Sequence, residues 1–218
     1  MQRPFTKEAF LNVFAEYNTS VFPLQIVFIL LAFVLIYLAY RNYKYSNLLI
    51  SLSLAFYWIW IGVIYHILFF SAINKAAYFF GVLFILQGLL FIYAGAIRKE
   101  LNYSTERSME AYFGWAFIAY ALIIYPILGM LSGHSYPKAP TFGLPCPTTI
   151  FTFGMFLFVK NRFPYYLLII PVLWSILGFS AAVQLSVTED FGLSFAGVIG
   201  LLLIIYYNKK GVHAAAKG

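Results

Sequence analysis

Charged residues are scarce in this chain. Asp, Glu, Lys and Arg make up 10% of its 218 residues, whereas they make up about a quarter of a typical soluble domain. Hydrophobic residues make up 63% and aromatic residues 21%. This balance excludes a soluble globular protein and indicates an integral membrane protein. The stretches between apolar segments are too short for a separate soluble domain, so residues 1–218 are interpreted as one transmembrane domain.

Cysteine, histidine and paired catalytic motifs are also rare. The single cysteine, Cys146, excludes an internal disulfide and zinc-finger spacing. The sequence has no nucleophile elbow, no His-Glu-Xaa-Xaa-His pattern and no nucleotide-binding glycine loop. His66 is the one histidine inside an apolar segment, which disfavours haem held by two histidines. No cofactor is predicted, and a non-enzymatic membrane protein is favoured over an enzyme.

Acidic residues are fewer than basic ones, which gives a formal net charge of +7. The basic residues form no run longer than two and lie beside apolar segments, so the excess does not indicate a nucleic-acid partner. Most of them follow the first, third, fifth and seventh apolar segments. By the positive-inside rule the amino terminus is outside, and the carboxyl-terminal tail at 208–218 is cytoplasmic.

Seven apolar segments are long enough to cross a bilayer. They cover residues 21–40, 47–70, 76–97, 110–131, 141–159, 163–185 and 191–207. The chain is therefore predicted to be an all-α polytopic membrane bundle of seven transmembrane helices. Its partner is the lipid bilayer, and a membrane-protein partner or a second copy of the chain is left open.

A short amphipathic helix is predicted ahead of the first span, within residues 1–20. Phe10, Val13, Phe14 and Tyr17 recur there at helical spacing, with polar residues between them. Such a helix lies at a membrane interface. An anchor that orients the first span is the simpler interpretation, and a lid is the alternative.

The fifth span is predicted to be interrupted, because Pro145 and Pro147 flank Cys146. Proline disfavours helical backbone at its own position and at the residue before it, so we expect extended chain up to Cys146 and a half-helix from Pro147. The amino end of a half-helix presents partial positive charge and free N–H groups, which suit an anion, a thiolate or a substrate carbonyl. The Cys146 thiol is either activated by this dipole or packed as an inert apolar group.

Polar side chains inside the membrane are costly and often mark a functional interior. The predicted topology places them in the outer leaflet, with Gln87 near the middle and with Glu189 and Asp190 in an outer loop. Each also has a structural interpretation, such as contact between helices or capping of free N–H groups. The candidate substrate-binding residues are His66, Gln87, Cys146, Thr148, Thr149 and Gln184.

Cys146 and His66 are the candidates for chemistry. A cysteine nucleophile beside a histidine base, oriented by Glu189 or Asp190, is one arrangement that these residue types allow. The same two residues are the candidate ligands for a soft metal such as Cu(I), although a stable site usually needs more ligands.

The segment YPKAPTFGLPCPTTIFTFG at 136–154 resembles an uncharacterised family of bacterial multi-pass membrane proteins, domain of unknown function 6064. The resemblance extends over most of the chain. It includes Tyr65-His66, Phe69-Phe70, Ile73-Asn74 and residues 81–87. It implies a location in the bacterial inner membrane and carries no activity.

The favoured hypothesis is a protein that binds or passes a small solute or ion through an outward-facing cavity at the broken fifth span. One alternative is an accessory or assembly subunit of a membrane complex, whose polar groups only hold helices together. The other is a membrane enzyme with a site built from Cys146 and His66.

Overall fold

A computed structural model describes residues 5–185 and 187–215 of the chain. Within these residues every regular element is a helix, which confirms the all-α prediction. A 3-10 turn, Thr188–Asp190, leads directly into the last helix. The helices are α1 Lys7–Val21, α2 Leu24–Arg41, α3 Ser46–Ala72, α4 Ala77–Ile97, α5 Met109–Leu131, α6 Pro145–Phe156, α7 Tyr165–Leu185 and α8 Phe191–Ala215.

Six helices in the described residues are long and apolar enough to cross a membrane. They are α2, α3, α4, α5, α7 and α8, the last counted with the turn before it. The remaining predicted span, 141–159, is helical only over Pro145–Phe156. Twelve residues of helix reach roughly 18 Å, against a hydrocarbon core of about 30 Å. The bundle therefore has six helices of spanning length rather than the seven predicted.

Helix α6 begins at Pro145, two residues before the predicted start at Pro147. Leu144 is its extended N-cap, so Cys146 is the second helical residue. The first N–H groups of a helix have no acceptor within the helix, so prolines at the first and third positions remove no hydrogen bond. The prediction of extended backbone at Cys146 was therefore wrong.

One end of the bundle collects the connections α2–α3, α4–α5 and α6–α7 and the last turns of α8. Asn47 Nδ2 donates to Asn102 Oδ1 at 3.2 Å, and the backbone N–H of Lys160 donates to the Asn102 carbonyl at 2.9 Å. Asn208 exchanges two hydrogen bonds of 2.9 Å with the backbone of Phe163. We call this the tail end.

The opposite end collects α1 and the connections α3–α4, α5–α6 and α7–α8. The hydroxyls of Ser132 and Thr188 lie 2.8 Å apart and join the α5–α6 connection to the turn before α8. The rings of Phe5 and Phe10 contact Phe70 at the end of α3, with centroids 5.6 and 5.8 Å away. We call this the α1 end.

Helix α1 packs its apolar side against the bundle. It starts where Thr6 Oγ1 accepts a hydrogen bond of 3.1 Å from the Ala9 N–H, the N-cap arrangement that serine and threonine favour. Residues 1–4 of the predicted amphipathic segment lie outside the described residues, as do residues 216–218 of the predicted tail, whose earlier part continues α8 through Ala215. The buried side of α1 comprises Phe10, Val13, Phe14, Tyr17, Asn18 and Val21.

Asn18 joins α1 to the non-helical chain that precedes α6. Its Nδ2 donates to the carbonyls of Pro137 and Ala139 at 2.7 and 2.8 Å. Its Oδ1 accepts a hydrogen bond of 2.7 Å from the Thr141 hydroxyl. Backbone without a helix is tolerated in a membrane protein only where other groups satisfy it. Helix α1 therefore stabilises residues 137–144 by supplying side-chain partners.

Helix α6 lies at the centre of the bundle. Every residue of it is buried except Cys146, which is half-buried. It packs against α5, α7 and α8. A Cβ placed on Gly154 would lie 2.9 Å from the carbonyl oxygen of Gly114, so α5 and α6 approach backbone to backbone. The outer surfaces of the surrounding helices expose apolar side chains suited to lipid, among them Leu30, Phe33, Val82, Ile176, Val198 and Leu202.

Replacing Asn18 with leucine should lower the free energy of unfolding in detergent by about 2–4 kcal/mol, because the carbonyls of Pro137 and Ala139 lose their donor and the Thr141 hydroxyl loses its acceptor. The neighbouring Thr19 is a matched control, since its hydroxyl bonds only to the carbonyls of Ala15 and Glu16 in its own helix. Thr19→Ala should change stability little. Thermal unfolding of both variants in one detergent checks this, and equal stabilities would contradict the role given to Asn18.

Candidate functional site

A cavity of about 210 Å³ lies at the α1 end of the bundle. Its wall is formed by α1, the end of α3, the start of α4, the start of α6, the second half of α7 and the turn before α8. Most of the wall is aromatic or aliphatic. The non-aromatic polar side chains on it are Asn74, Cys146, Ser180, Gln184 and Asp190. An apolar cavity with a few convergent polar groups is the usual form of a small-molecule site.

Cys146 reaches the cavity because α6 begins at its floor. Pro145 and Pro147 lack an N–H, so only Cys146 among the first three helical residues has a backbone donor. Anion sites at helix starts depend on a row of free N–H groups as well as on the dipole. The start of α6 is therefore a poorer anion site than the sequence indicated.

Asp190 is the acidic residue of the cavity. It is 3% exposed and ends the turn that leads into α8. The Tyr125 hydroxyl donates to Asp190 Oδ1 at 2.5 Å. The Cys146 thiol lies beside the Asp190 carboxyl and the Trp174 indole. The amino end of a helix stabilises a negative charge, and α8 provides one here.

The sequence placed Asp190 in an outer loop and considered it only as an orienting group. The structure places it in the cavity wall next to Cys146. The sequence signal that could have found it is a pair of adjacent carboxylates directly before an apolar helix. Trp174, which also lines the cavity, carries no comparable signal, because aromatic residues are common throughout this chain.

Glu189, the neighbouring carboxylate, is in contact with a histidine. Glu189 Oε1 lies 2.9 Å from His134 Nδ1, and both side chains are buried. The Tyr120 hydroxyl donates to the Glu189 carbonyl at 2.8 Å. This pair connects the α5–α6 connection to the start of α8. Only one of the two adjacent carboxylates therefore lines the cavity.

His66 lies behind the cavity wall. It is fully buried on the π-helical part of α3, Ile61–Phe69, and its ring centroid is 4.7 Å from that of Phe84 and 5.2 Å from that of Trp174. Neither ring nitrogen has a hydrogen-bond partner among the described residues. Within the residues that the structure describes, no hydrogen bond joins His66 to Cys146. The structure thus does not assemble the nucleophile and base that the sequence suggested.

The other predicted site residues divide between the cavity and the helix contacts. Gln184 lies at the cavity and donates to Ser180 Oγ at 2.7 Å. Gln87 Nε2 donates to the Leu167 carbonyl at 3.1 Å, which joins α4 to α7. Thr148 Oγ1 accepts a hydrogen bond of 3.2 Å from the Gly143 N–H. Of the predicted set, Cys146 and Gln184 share the cavity.

In the part of the chain that the structure describes, Thr149 lacks a hydrogen-bond partner and the candidate metal ligands belong to no larger ligand group. Thr149 is fully buried on α6, and its hydroxyl has no partner among the described residues. No group of three or more His, Cys, Asp and Glu side chains in the described chain is arranged to hold a metal ion. Cys146 and His66 are therefore not part of such a group in the described chain.

A protein-family model matches residues 7–214 of the chain, described as a family of unknown function. The chain belongs to this family, DUF6064. No curated protein and no solved structure matches it. The matched region of this DUF6064 chain begins with α1 and includes every element of the cavity wall. Helix α1 thus lies within the region that the family model matches, and the apolar helices behind it indicate that the DUF6064 chain is a membrane protein.

Removing His134 should leave the Glu189 carboxylate buried without its partner, at a cost of about 3–5 kcal/mol in stability. His134→Ala should therefore be strongly destabilised, and His134→Ala combined with Glu189→Gln should recover part of the loss. Glu100→Gln is the control, since Glu100 pairs with Arg98 at the accessible tail end and such pairs contribute about 0–1 kcal/mol. Unfolding in one detergent measures all four chains. A double variant no more stable than His134→Ala would contradict the pairing.

Proposed function

We propose that this DUF6064 protein crosses the membrane seven times and binds a small solute in the cavity at its outer, α1 end. The observation that carries the proposal is the mainly apolar cavity with Cys146 and Asp190 on its wall. An acidic side chain buried among transmembrane helices is costly, and it is retained where it contacts a substrate or an ion.

Contacts at the two ends of α6 support seven crossings. Before α6, Pro137 and Ala139 accept hydrogen bonds from Asn18 of α1. After α6, the Lys160 ammonium donates to Ser108 Oγ at 3.0 Å, next to the start of α5 at the tail end. The chain between them crosses from one end of the bundle to the other. In this proposal residues 137–144 and α6 together form the fifth crossing, shielded from lipid by the surrounding helices.

The distribution of basic residues supports the orientation. Arg98, Lys160, Arg162 and Lys209 lie at the tail end, while Lys75 and Lys138 belong to connections at the α1 end. Positive residues are retained on the cytoplasmic side. In this proposal the amino terminus and the cavity face outward, the carboxyl terminus faces the cytoplasm, and the membrane is the inner membrane.

The cavity is suited to binding, and passage needs a further movement. A solute that enters at the α1 end meets the start of α6, below which every residue of that helix is buried. A path to the tail end therefore requires α6 or its neighbours to shift.

The fifth crossing is tested by single cysteines introduced into a Cys146→Ala chain. Cysteine at Lys138, before α6, should react with a membrane-impermeant maleimide added to intact cells, and cysteine at Arg162, after α6, should not. Lys75→Cys and Lys44→Cys are the outer and inner controls. Reaction at both Lys138 and Arg162 from outside would contradict a crossing by α6.

Access to the cavity is tested with the native thiol, which reports on one position because the chain has one cysteine. Small water-soluble maleimides added from outside should label Cys146 in the folded protein. Cysteine at Thr152, a fully buried residue of α6, should stay unlabelled in a Cys146→Ala chain. Phe14→Ala should raise the Cys146 rate severalfold, because this ring of α1 lines the cavity. Labelling of Cys146 only after denaturation would overturn the proposed site.

A further inference from the structure

The wall of the cavity at the α1 end combines many aromatic rings with a single charged group. Among the described residues that line it, Asp190 is the one acidic residue, and none is lysine, arginine or histidine. We propose that the cavity selects small organic cations, of the alkylammonium class, over neutral and anionic solutes. This inference rests on the proposed function and adds the chemical class of the solute. Seven aromatic residues line the cavity: Phe5, Phe10, Phe14, Tyr65, Phe70, Phe80 and Trp174.

Asp190 is the carboxylate available to such a ligand. Among the described residues it takes part in no ion pair, whereas the adjacent Glu189 is paired with His134. Tyr125 donates a hydrogen bond to Asp190, and the start of α8 adds the positive end of a helix dipole. Both interactions favour the negative form of the carboxyl group, whereas its burial disfavours that form. A bound cation would supply the missing countercharge.

The aromatic rings provide the second attraction. The rings of Phe10 and Phe14 meet at 4.6 Å, and those of Tyr65 and Phe70 stack at 5.7 Å. Trp174 completes the wall beside Asp190 and Cys146. Aromatic faces attract ammonium groups, tryptophan most strongly, and cages of such rings bind quaternary ammonium ligands. Rings and carboxylate therefore recognise the same kind of ion.

The same wall disfavours the other classes of ligand. An anion would meet the Asp190 charge, and the prolines beside Cys146 remove N–H groups that would otherwise bind it. A divalent inorganic cation is bound through about six or more oxygen ligands. The cavity wall is mainly apolar carbon and offers few of them. An organic cation carries its own apolar surface and needs only one countercharge.

The native thiol can measure this selectivity, because Cys146 lies beside Asp190. Methanethiosulfonate reagents transfer their substituent to a thiolate: a new S–S bond forms, and methanesulfinate leaves with the electron pair of the broken S–S bond. The reagents are the trimethylammonium-ethyl, sulfonato-ethyl and methyl compounds, which are cationic, anionic and neutral. Each rate is divided by the rate with a free thiol in solution. The cationic reagent should exceed the anionic one by at least roughly tenfold, because one carboxylate about 4 Å away gives a factor of that size even at the dielectric constant of water.

The Asp190→Asn variant isolates the source of the preference. Its ratio of cationic to anionic rates should fall close to one, because the countercharge is gone and the aromatic wall remains. Glu110→Gln is the control, since Glu110 lines a different cavity at the tail end, and it should keep the native ratio. A thermal unfolding transition at the native temperature reports that Asp190→Asn is folded, because removing the carboxylate beside the thiol changes the rate with every reagent, and only the ratio of rates is compared. If that variant fails this check, the native chain is tested by protection as below.

Protection of Cys146 gives an independent measure on the native chain. Choline should slow maleimide labelling at concentrations at which its neutral analogue 3,3-dimethylbutanol has no effect. A native rate ratio near one, an unchanged ratio in a folded Asp190→Asn chain, or equal protection by choline and its analogue would overturn cation selectivity. Those results would leave solute binding intact as long as Cys146 is reached from outside. An unreachable Cys146 would instead overturn the site itself.

Discussion

The need to satisfy backbone groups around a short buried helix organises this protein. Helix α6 has twelve residues, and the chain before it runs through the bundle without helical hydrogen bonds of its own. In a membrane protein such backbone must be covered and bonded by neighbouring elements. Asn18 bonds the carbonyls of Pro137 and Ala139, and the Tyr17 hydroxyl donates to the Gly143 carbonyl at 3.3 Å. Helix α1 supplies the side chains that bond this backbone, and the cavity lies where α6 starts.

Buried charged groups at the α1 end also need partners. Two adjacent carboxylates precede α8, and their surroundings differ. Glu189 Oε1 contacts His134 Nδ1 within the protein. Asp190 is held by Tyr125 and faces the wall that α1 and α6 share. A buried charge without a partner is unfavourable unless a ligand or solvent balances it. This difference between the two neighbours is the basis of the proposed selectivity for cations.

Much of the fold could be predicted from apolar length and from proline. Six of the long segments became helices of spanning length, and the spacing of Phe10, Val13 and Phe14 corresponds to the buried face of α1. The prolines beside Cys146 marked the segment that became the shortest interior helix. The start of that helix was placed two residues late, because prolines at its first and third positions cost no hydrogen bond, a distinction that composition cannot make.

The candidate site was only partly accessible to prediction. Cys146 and Gln184 were found because polar groups in apolar segments are conspicuous. Asp190 was assigned to a loop, because hydropathy gives no depth to residues at the ends of spans. His66 looked like a partner for the thiol, yet its direction on the π-helical turn of α3 places it behind Trp174. Side-chain direction and helix contacts decide such cases, and neither is written in a single sequence.

An experimental structure of the protein in lipid nanodiscs tests most directly whether the cavity depends on α6. We expect a helix that starts at Pro145 inside the bundle, with Cys146 and Asp190 on the wall of a cavity covered by α1. A continuous lipid-facing helix through residues 141–159, with Asp190 in bulk solvent, would contradict it.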